Sequence, residues 1–582
     1  MPERRASARQ TRVRRAVAVG VVLIAALGVG VICATGGGPD DRAALGRFAQ
    51  AWQRSDWARL RAEVSERAQA AWALPALTRR YTDAARIATI QAIRTGRPIA
   101  DGDGRWRLPV VITTRAFGTV SSTLRVAVVH EGGHARVDWH PELVFPGLAR
   151  GDKLRAVTTM PARADLLARD GHTPLAAGVD RTSPLGAAAQ AIVGALGPLP
   201  AAERAHAAQL GWPADVQVGI SGLERAFNDR LVGTPGGQLR AGVRLLAERA
   251  PRKAPAVRTT IAPSIQEAAV TALAGRLGGI VALRPKTGEV LAAAGIGFSG
   301  LQPPGSTFKM ITATAALEAG VAHPSDRYPV QTAATLSGVE LQNANGEACG
   351  GTLAQAFADS CNSVFAPLGV KVGATRLVAT AERFGFNAPT QIAGAATSSI
   401  PPAGEIGDDL AVGSTAIGQG RVQATALQMA IVASAIGLRG RRPDVSLDPD
   451  AAPGDAPTHA ATTPAVARTM ERLMLGVVRY GTGRAAAIAG VRVAGKTGTA
   501  ELKSTQKCKP DPTVQGGQET CPPDEQADTT DTDAWFAAYA PAGDGRPRIA
   551  VGVLLVGAGA GGDTAAPAAR QVLLAGLGRP AA

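Results

Sequence analysis

The chain has 582 residues, 46% hydrophobic and 19% charged, enough at roughly 100–200 residues per domain for about three cored domains. That composition excludes a disordered chain, a collagen period and a disulfide-dense miniature fold. The net charge of +15 would admit a nucleic-acid binder, but the basic residues are scattered and only 9 of 62 are Lys.

Arg4, Arg5, Arg9, Arg12, Arg14 and Arg15 stand against one Glu and supply +5 of the excess within residues 1–15. They precede an uncharged apolar run over residues 16–34. At about 1.5 Å per residue, such a run nearly spans a hydrocarbon core of about 30 Å. The spacing predicts a transmembrane anchor with a basic cytoplasmic tail at 1–15 and the rest of the chain outside the cell membrane. A cleaved signal peptide and lipid attachment at Cys33 are the competing readings, and Ile32 stands where lipidation wants a small residue. This topology leaves no role for nucleic acid. In an oxidising compartment the other four cysteines form two local pairs, Cys349–Cys361 and Cys508–Cys521. Local pairing is the simplest of three connectivities, and these spacings do not suit zinc.

Residues 40–150 read as helices followed by strands. Leu45, Phe48, Trp52, Trp57 and Leu60 recur at near-helical spacing, whereas stretches from Trp106 and from Ser122 alternate like strands. This predicts a small α+β domain whose aromatic residues fill a core. Residues 151–257 are mixed and turn-rich, and they read as a domain linking the first to the last. Residues 258–582 open with a helix near 265–277 and two strands around Pro285-Lys286-Thr287-Gly288. Strands at 535–540 and 549–556 and a helix at 565–577 close it, predicting helices around an antiparallel sheet.

Three motifs in this last segment carry chemistry. Ser306 and Lys309, in Pro303-Pro304-Gly305-Ser306-Thr307-Phe308-Lys309, share a helix face. A desolvated Lys can be neutral and take the proton of a Ser hydroxyl, making it a nucleophile. The Pro-Pro-Gly turn would let Ser306 start the helix and aim its backbone N–H at an oxyanion. In Ser360-Cys361-Asn362 the outer residues share a direction, so Ser360 can relay a proton while Asn362 binds a substrate amide. Lys496-Thr497-Gly498-Thr499 reads as an edge strand. There Lys496 with Thr497 or Thr499 would hold a carboxylate, Gly498 would admit substrate backbone, and the Thr499 N–H would complete the oxyanion hole. Decoys occur: Ser504 to Lys507 is a second S-x-x-K in a polar stretch, and Lys286-Thr287-Gly288 a second K-T-G in a hairpin turn. The order and context of the true set distinguish it.

With Gly418-Gln419-Gly420 and Ala534-Trp535-Phe536, these motifs make residues 258–582 resemble the transpeptidase domain of class B penicillin-binding proteins. Residues 151–257 resemble that family's pedestal, or dimerisation, domain through the stretches beginning Pro161-Ala162-Arg163 and Gly219-Ile220-Ser221. Residues 40–150, ending Val137-Asp138-Trp139-His140-Pro141, resemble the N-terminal domain of methicillin-resistance-type members. The family fold is that of serine β-lactamases and penicillin-binding proteins, an antiparallel sheet flanked by helices.

The resemblance implies a peptidoglycan D,D-transpeptidase with D-alanyl-D-alanine stem peptides as substrate. Ser306 would form the acyl-enzyme with loss of D-alanine, assisted by Lys309, Ser360, Asn362 and Lys496, and a neighbouring stem amine would complete the crosslink. β-Lactams would acylate the same serine. It implies no metal or organic cofactor, and a separate glycan polymerase as partner. The alternatives are a D,D-carboxypeptidase or β-lactamase-like hydrolase, and a non-catalytic β-lactam-binding scaffold. The Glu-x-x-Leu-Asn water-activating pattern of class A lactamases is absent, and the intact motif set disfavours a scaffold. Two departures stand out: Ala164 and Ala168 replace the pedestal motif's usual Gly and Asp, and a polar insertion spans residues 503–533. The insertion reads as a solvated loop, with a border to the substrate groove as the sharper alternative.

Overall fold

Contacts in the computed structural model divide the chain into two compact units. The structure describes residues 38–451, 454–501, 532–544 and 546–580. The apolar run at 16–34, Cys33, the Ser504–Lys507 decoy and the proposed Cys508–Cys521 pair therefore lie outside the described residues. Among the described residues no single helix is long and apolar enough to cross a membrane.

The first unit runs to Thr159 and adds Ala205–Pro213 and Pro235–Pro251. Its opening helix, Pro39–Gln53, buries Leu45, Phe48 and Trp52. The helical spacing seen in the sequence does not continue unbroken to Leu60. The chain turns at Ser55 (φ 56°), and Asp56 caps a new helix, Trp57–Ala62, by accepting from the Arg59 N–H. Leu60 still reaches the core, whereas Trp57 stays half-buried and stacks on Tyr81 at 5.0 Å. Tyr81 in turn accepts from Trp139 Nε1 at 2.9 Å, so these rings are core and not a ligand box. The helices cover an antiparallel sheet built on Arg105–Thr114 and Gly118–Glu131, whose inward residues Trp106, Leu108, Val110 and Ile112 alternate with outward ones.

The second unit comprises Met160–Arg204, Ala214–Thr234 and the chain from Arg252 onward. Residues 151–257 are thus shared between both units. Within the second unit, the stretches beginning at Pro161 and Gly219 meet in a buried ion cluster. Glu224, 1% exposed, accepts from Arg163 Nε at 2.6 Å and from Arg181 Nε at 2.7 Å. Arg163 also donates to Asn228 Oδ1 at 3.1 Å. Ala164 and Ala168, which flank the short strand Leu166–Leu167, are fully buried, and Arg181 donates to the Ala164 carbonyl at 2.8 Å.

The rest of the unit is a five-stranded antiparallel sheet with helices on both faces. Its strands are β1 (Gly278–Arg284), β2 (Glu289–Gly295), β3 (Ala494–Glu501), β4 (Thr532–Ala540) and β5 (Ile549–Leu555), in spatial order β2-β1-β5-β4-β3. The helices are α1 (Pro263–Leu273), α2 (Lys309–Glu318), α3 (Asn362–Val372), α4 (Ala426–Gly437), α5 (Pro464–Arg479) and α6 (Ala565–Gly576). Side chains of a strand alternate between faces, so a sheet covered on both sides needs apolar residues at every position. In β4, Ala534, Phe536 and Ala538 pack toward α1 and α6, while Trp535, Ala537 and Tyr539 pack toward α2, α4 and α5. At Gly552 a Cβ would lie 2.0 Å from the Ala426 carbonyl oxygen, so α4 rides directly on β5 only because that residue is glycine. The strand β3, bearing the K-T-G-T motif, is one edge of the sheet, and β2 is the other.

Replacing Glu224 by Gln leaves two buried guanidiniums facing a neutral amide. Breaking such a cluster costs about 3–5 kcal/mol, so Glu224→Gln lowers the urea midpoint of the unfolding transition markedly. An unchanged midpoint would mean that the arginines are already solvated.

Candidate active site

A turn, a helix start and an edge strand converge to make the site. Gly305 (φ 50°) donates its N–H to the Gly418 carbonyl at 3.0 Å, and a Cβ on Gly305 would sit 2.6 Å from the Thr499 carbonyl oxygen. Only glycine permits that approach of the turn carrying Ser306 to the edge strand. Ser306 then falls in a single 3-10 turn, Gly305–Phe308, and α2 begins at Lys309. The sequence had Ser306 starting an α-helix. The left-handed Gly305 tightens that turn instead. Residues three apart eclipse in a 3-10 turn, so Ser306 and Lys309 still share a face.

Lys309 is fully buried, and its Nζ donates to the Ser360 carbonyl at 2.6 Å, to Asn362 Oδ1 at 2.7 Å and to Ser360 Oγ at 3.3 Å. Lys496, also fully buried on β3, donates from Nζ to Ser360 Oγ at 2.8 Å and to the Thr497 carbonyl at 3.1 Å. The Ser360 hydroxyl therefore lies between two amines. Ser360 has φ 64°, a conformation rare outside glycine and held here by its surroundings. The ring of Phe365 stands 5.7 Å from Lys309 Nζ and that of Phe357 5.6 Å from Lys496 Nζ. Burial, aided by the charge of Lys496, pushes Lys309 well below the usual lysine range. Burial also lowers Lys496 to about 7, against the pull of the Asp359 carboxylate, which raises it. One hydroxyl within hydrogen-bond reach of two depressed amines is a path for a proton between them.

Four of the predicted residues are joined by direct hydrogen bonds. Lys309, Ser360, Asn362 and Lys496 form one hydrogen-bonded group. Ser306, three residues before Lys309, is half-buried, and among the described residues its hydroxyl makes no hydrogen bond. Thr499 Oγ1 accepts from the Gly561 N–H at 3.4 Å, and Gly498 runs so close to the Pro304 carbonyl that a Cβ would sit 2.8 Å from it. Thr497 is 4% exposed and its hydroxyl lies 2.5 Å from that of Thr482. A disulfide joins Cys349 to Cys361, the middle residue of the S-x-N motif. The decoy Lys286 is in a hairpin turn, paired with Asp455 at 3.2 Å. Among the described residues no group of three or more His, Cys, Asp or Glu is placed to hold a metal.

Two residues escaped the sequence reading. Asn343, 4% exposed, donates to the Gln331 and Glu347 carbonyls and accepts from the Ser363 N–H at 2.8 Å, tying the preceding loop to the start of α3. Asn362 Nδ2 donates to the Gln342 carbonyl, the residue before it. Thr482 is the second. Its flanking Gly481 and Gly483 were the available signal, but G-T-G alone is too short to weigh.

Residues 278–574 match the family model described as the penicillin binding protein transpeptidase domain. The chain is 34% identical over 387 residues to peptidoglycan D,D-transpeptidase PbpA of Mycolicibacterium smegmatis, covering 55% of this chain and 72% of that protein. It also resembles the penicillin G acyl-enzyme of penicillin-binding protein A from M. tuberculosis (27% identity, TM-score 0.53, covering 72% of this chain and 99% of that one). The structure of Pseudomonas aeruginosa PBP2 is similar as well (26% identity, TM-score 0.58, covering 72% and 96%).

Removing the Asp359 charge withdraws the interaction that holds the Lys496 pKa up. Asp359→Asn should therefore shift the Lys496 titration from about 7 to lower pH, read from the 13Cε resonance of labelled lysine. A titration that stays in place would remove Asp359 from the electrostatics of the site.

Proposed function

Since the chain belongs to the penicillin-binding protein transpeptidase family, we infer that its buried two-lysine site runs that family's acyl-transfer chemistry. The protein is a peptidoglycan D,D-transpeptidase that forms acyl-enzymes with β-lactams, and it acts in the cell envelope. The observation that carries the assignment of roles is the Ser360 hydroxyl held between Lys309 and Lys496.

In this reading Ser306 Oγ attacks the penultimate D-alanine carbonyl and its proton passes to neutral Lys309. Depression of the Lys309 pKa supports that role, because a charged amine cannot accept a proton. The N–H groups of Ser306 and Thr499 receive the oxyanion. When the C–N bond breaks, Ser360 delivers a proton to the departing amine and is resupplied from the lysines. Lys496, with Thr497 and Thr499, faces the carboxylate of the terminal D-alanine, Gly498 lets its backbone approach, and Asn362 faces a stem-peptide amide. An amine from a second stem then attacks the ester, loses its proton by the reverse path and frees Ser306.

Residues 1–15 and 16–34 serve as basic tail and membrane anchor, supported by the arginine cluster and the uncharged run. Residues 40–150 act as a spacer of the methicillin-resistance type, supported by the Val137 to Pro146 stretch and the helices packed on an antiparallel sheet. Residues 151–257 are the pedestal, supported by the stretches that supply Arg163 and Glu224. A separate glycan polymerase would provide the strands to be crosslinked.

Full-length protein incubated with a fluorescent penicillin should form a stable adduct that is absent in Ser306→Ala. An adduct persisting in that variant would displace Ser306 as nucleophile, and one released within seconds would favour a hydrolase. Alkaline carbonate should leave the full chain in the membrane pellet, whereas a form starting at residue 38 should appear in the supernatant. Release of both would remove the anchor.

A further inference from the structure

We propose that Thr482 is a positioning residue for the substrate carboxylate, acting through the hydroxyl of Thr497. The proposal rests on the reading of β3 as the seat of that carboxylate. Thr482 lies in the turn between α5 and β3, and its Oγ1 is 2.5 Å from Thr497 Oγ1. Its backbone N–H donates to the Ala358 carbonyl at 3.1 Å, and its hydroxyl donates to the same oxygen at 3.3 Å. One threonine therefore links the residue two before Ser360 to the residue after Lys496.

Glycines hold this turn in place. A Cβ on Gly481 would lie 2.3 Å from the Ala358 carbonyl oxygen, and one on Gly562 2.4 Å from the Thr482 carbonyl oxygen. Backbone thus approaches this turn closely on both sides, which fixes where the Thr482 main chain lies beside Thr497.

Two hydroxyls carry two protons, and a carboxylate only accepts. With the carboxylate seated, the arrangement that satisfies all three groups is a chain. Thr482 turns its proton from the Ala358 oxygen, which keeps the Thr482 N–H, to Thr497 Oγ1, and Thr497 donates to the carboxylate. A hydroxyl that accepts one hydrogen bond donates a stronger second one. Without Thr482, the buried Thr497 hydroxyl loses the neighbour that orients its proton toward the groove. The Ala358 contact raises a rival possibility, that Thr482 merely braces the S-x-N element. The two roles differ in one respect: a brace serves every substrate, whereas an oriented donor serves only those bearing the carboxylate.

The test compares acylation rate constants of the full-length protein by benzylpenicillin and by its uncharged methyl ester. Wild type should prefer the carboxylate form. Thr482→Val should lose about tenfold with benzylpenicillin, the scale of one hydrogen bond to a charged group, while its rate with the ester stays within about twofold. Thr482→Ser, which keeps the hydroxyl, should restore most of the benzylpenicillin rate. Should the valine variant misfold, Thr482→Ala carries the same expectation. Equal losses with both compounds, or no loss with either, would overturn the proposal. A wild type indifferent to the carboxylate would fail earlier, by removing β3 as the carboxylate's seat whatever Thr482 does.

Discussion

Two lysine amines buried against one serine hydroxyl are the constraint on which this transpeptidase depends. Taking an ammonium out of water costs several kcal/mol unless its donors are met. Lys309 and Lys496 are fully buried, and together their acceptors are the Ser360 hydroxyl and carbonyl, the Asn362 amide and the Thr497 carbonyl. Those acceptors come from separate parts of the chain, so the amines can be accommodated only when α2, the start of α3 and β3 are all in place. The same scarcity of solvent weakens their hold on protons. Stability and reactivity are here two results of one burial.

Close backbone approach is the second requirement. The turn carrying Ser306 touches β3 through Gly305, touches the 418–420 loop through Gly418, and lies over Gly498. A methyl group at any of these would push the Ser306 turn away from the strand or from the loop beside it. Behind the site, the Cys349–Cys361 disulfide and Asn343 fasten the loop before α3 to the S-x-N motif, against which Lys309 rests. The loop can be long because it is tied at two points.

Much of this was legible from short-range pattern. Continuous apolar runs foretold strands covered on both faces, and β1, β2, β4 and β5 lie where those runs are. The chemical motifs were legible because each requires particular residue types at close spacing. Helix ends were less so: the aromatic spacing from Leu45 to Leu60 looks like one helix until Ser55 adopts a left-handed conformation and Asp56 caps another. The division of 151–257 between two units could not be read either, since it depends on which distant segments each piece packs against.

By itself the sequence determined the chemistry: a serine with a lysine one turn on, a serine–asparagine pair, and a lysine–threonine strand rich in glycine. Those identities follow from what acyl transfer needs, and local spacing records them. The tertiary structure decided how the groups are wired. It placed the Ser360 hydroxyl between both amines, lowered Lys496 to about 7, and brought Thr482 against Thr497. Burial and long-range approach are properties of the packed chain, and no window of sequence contains them.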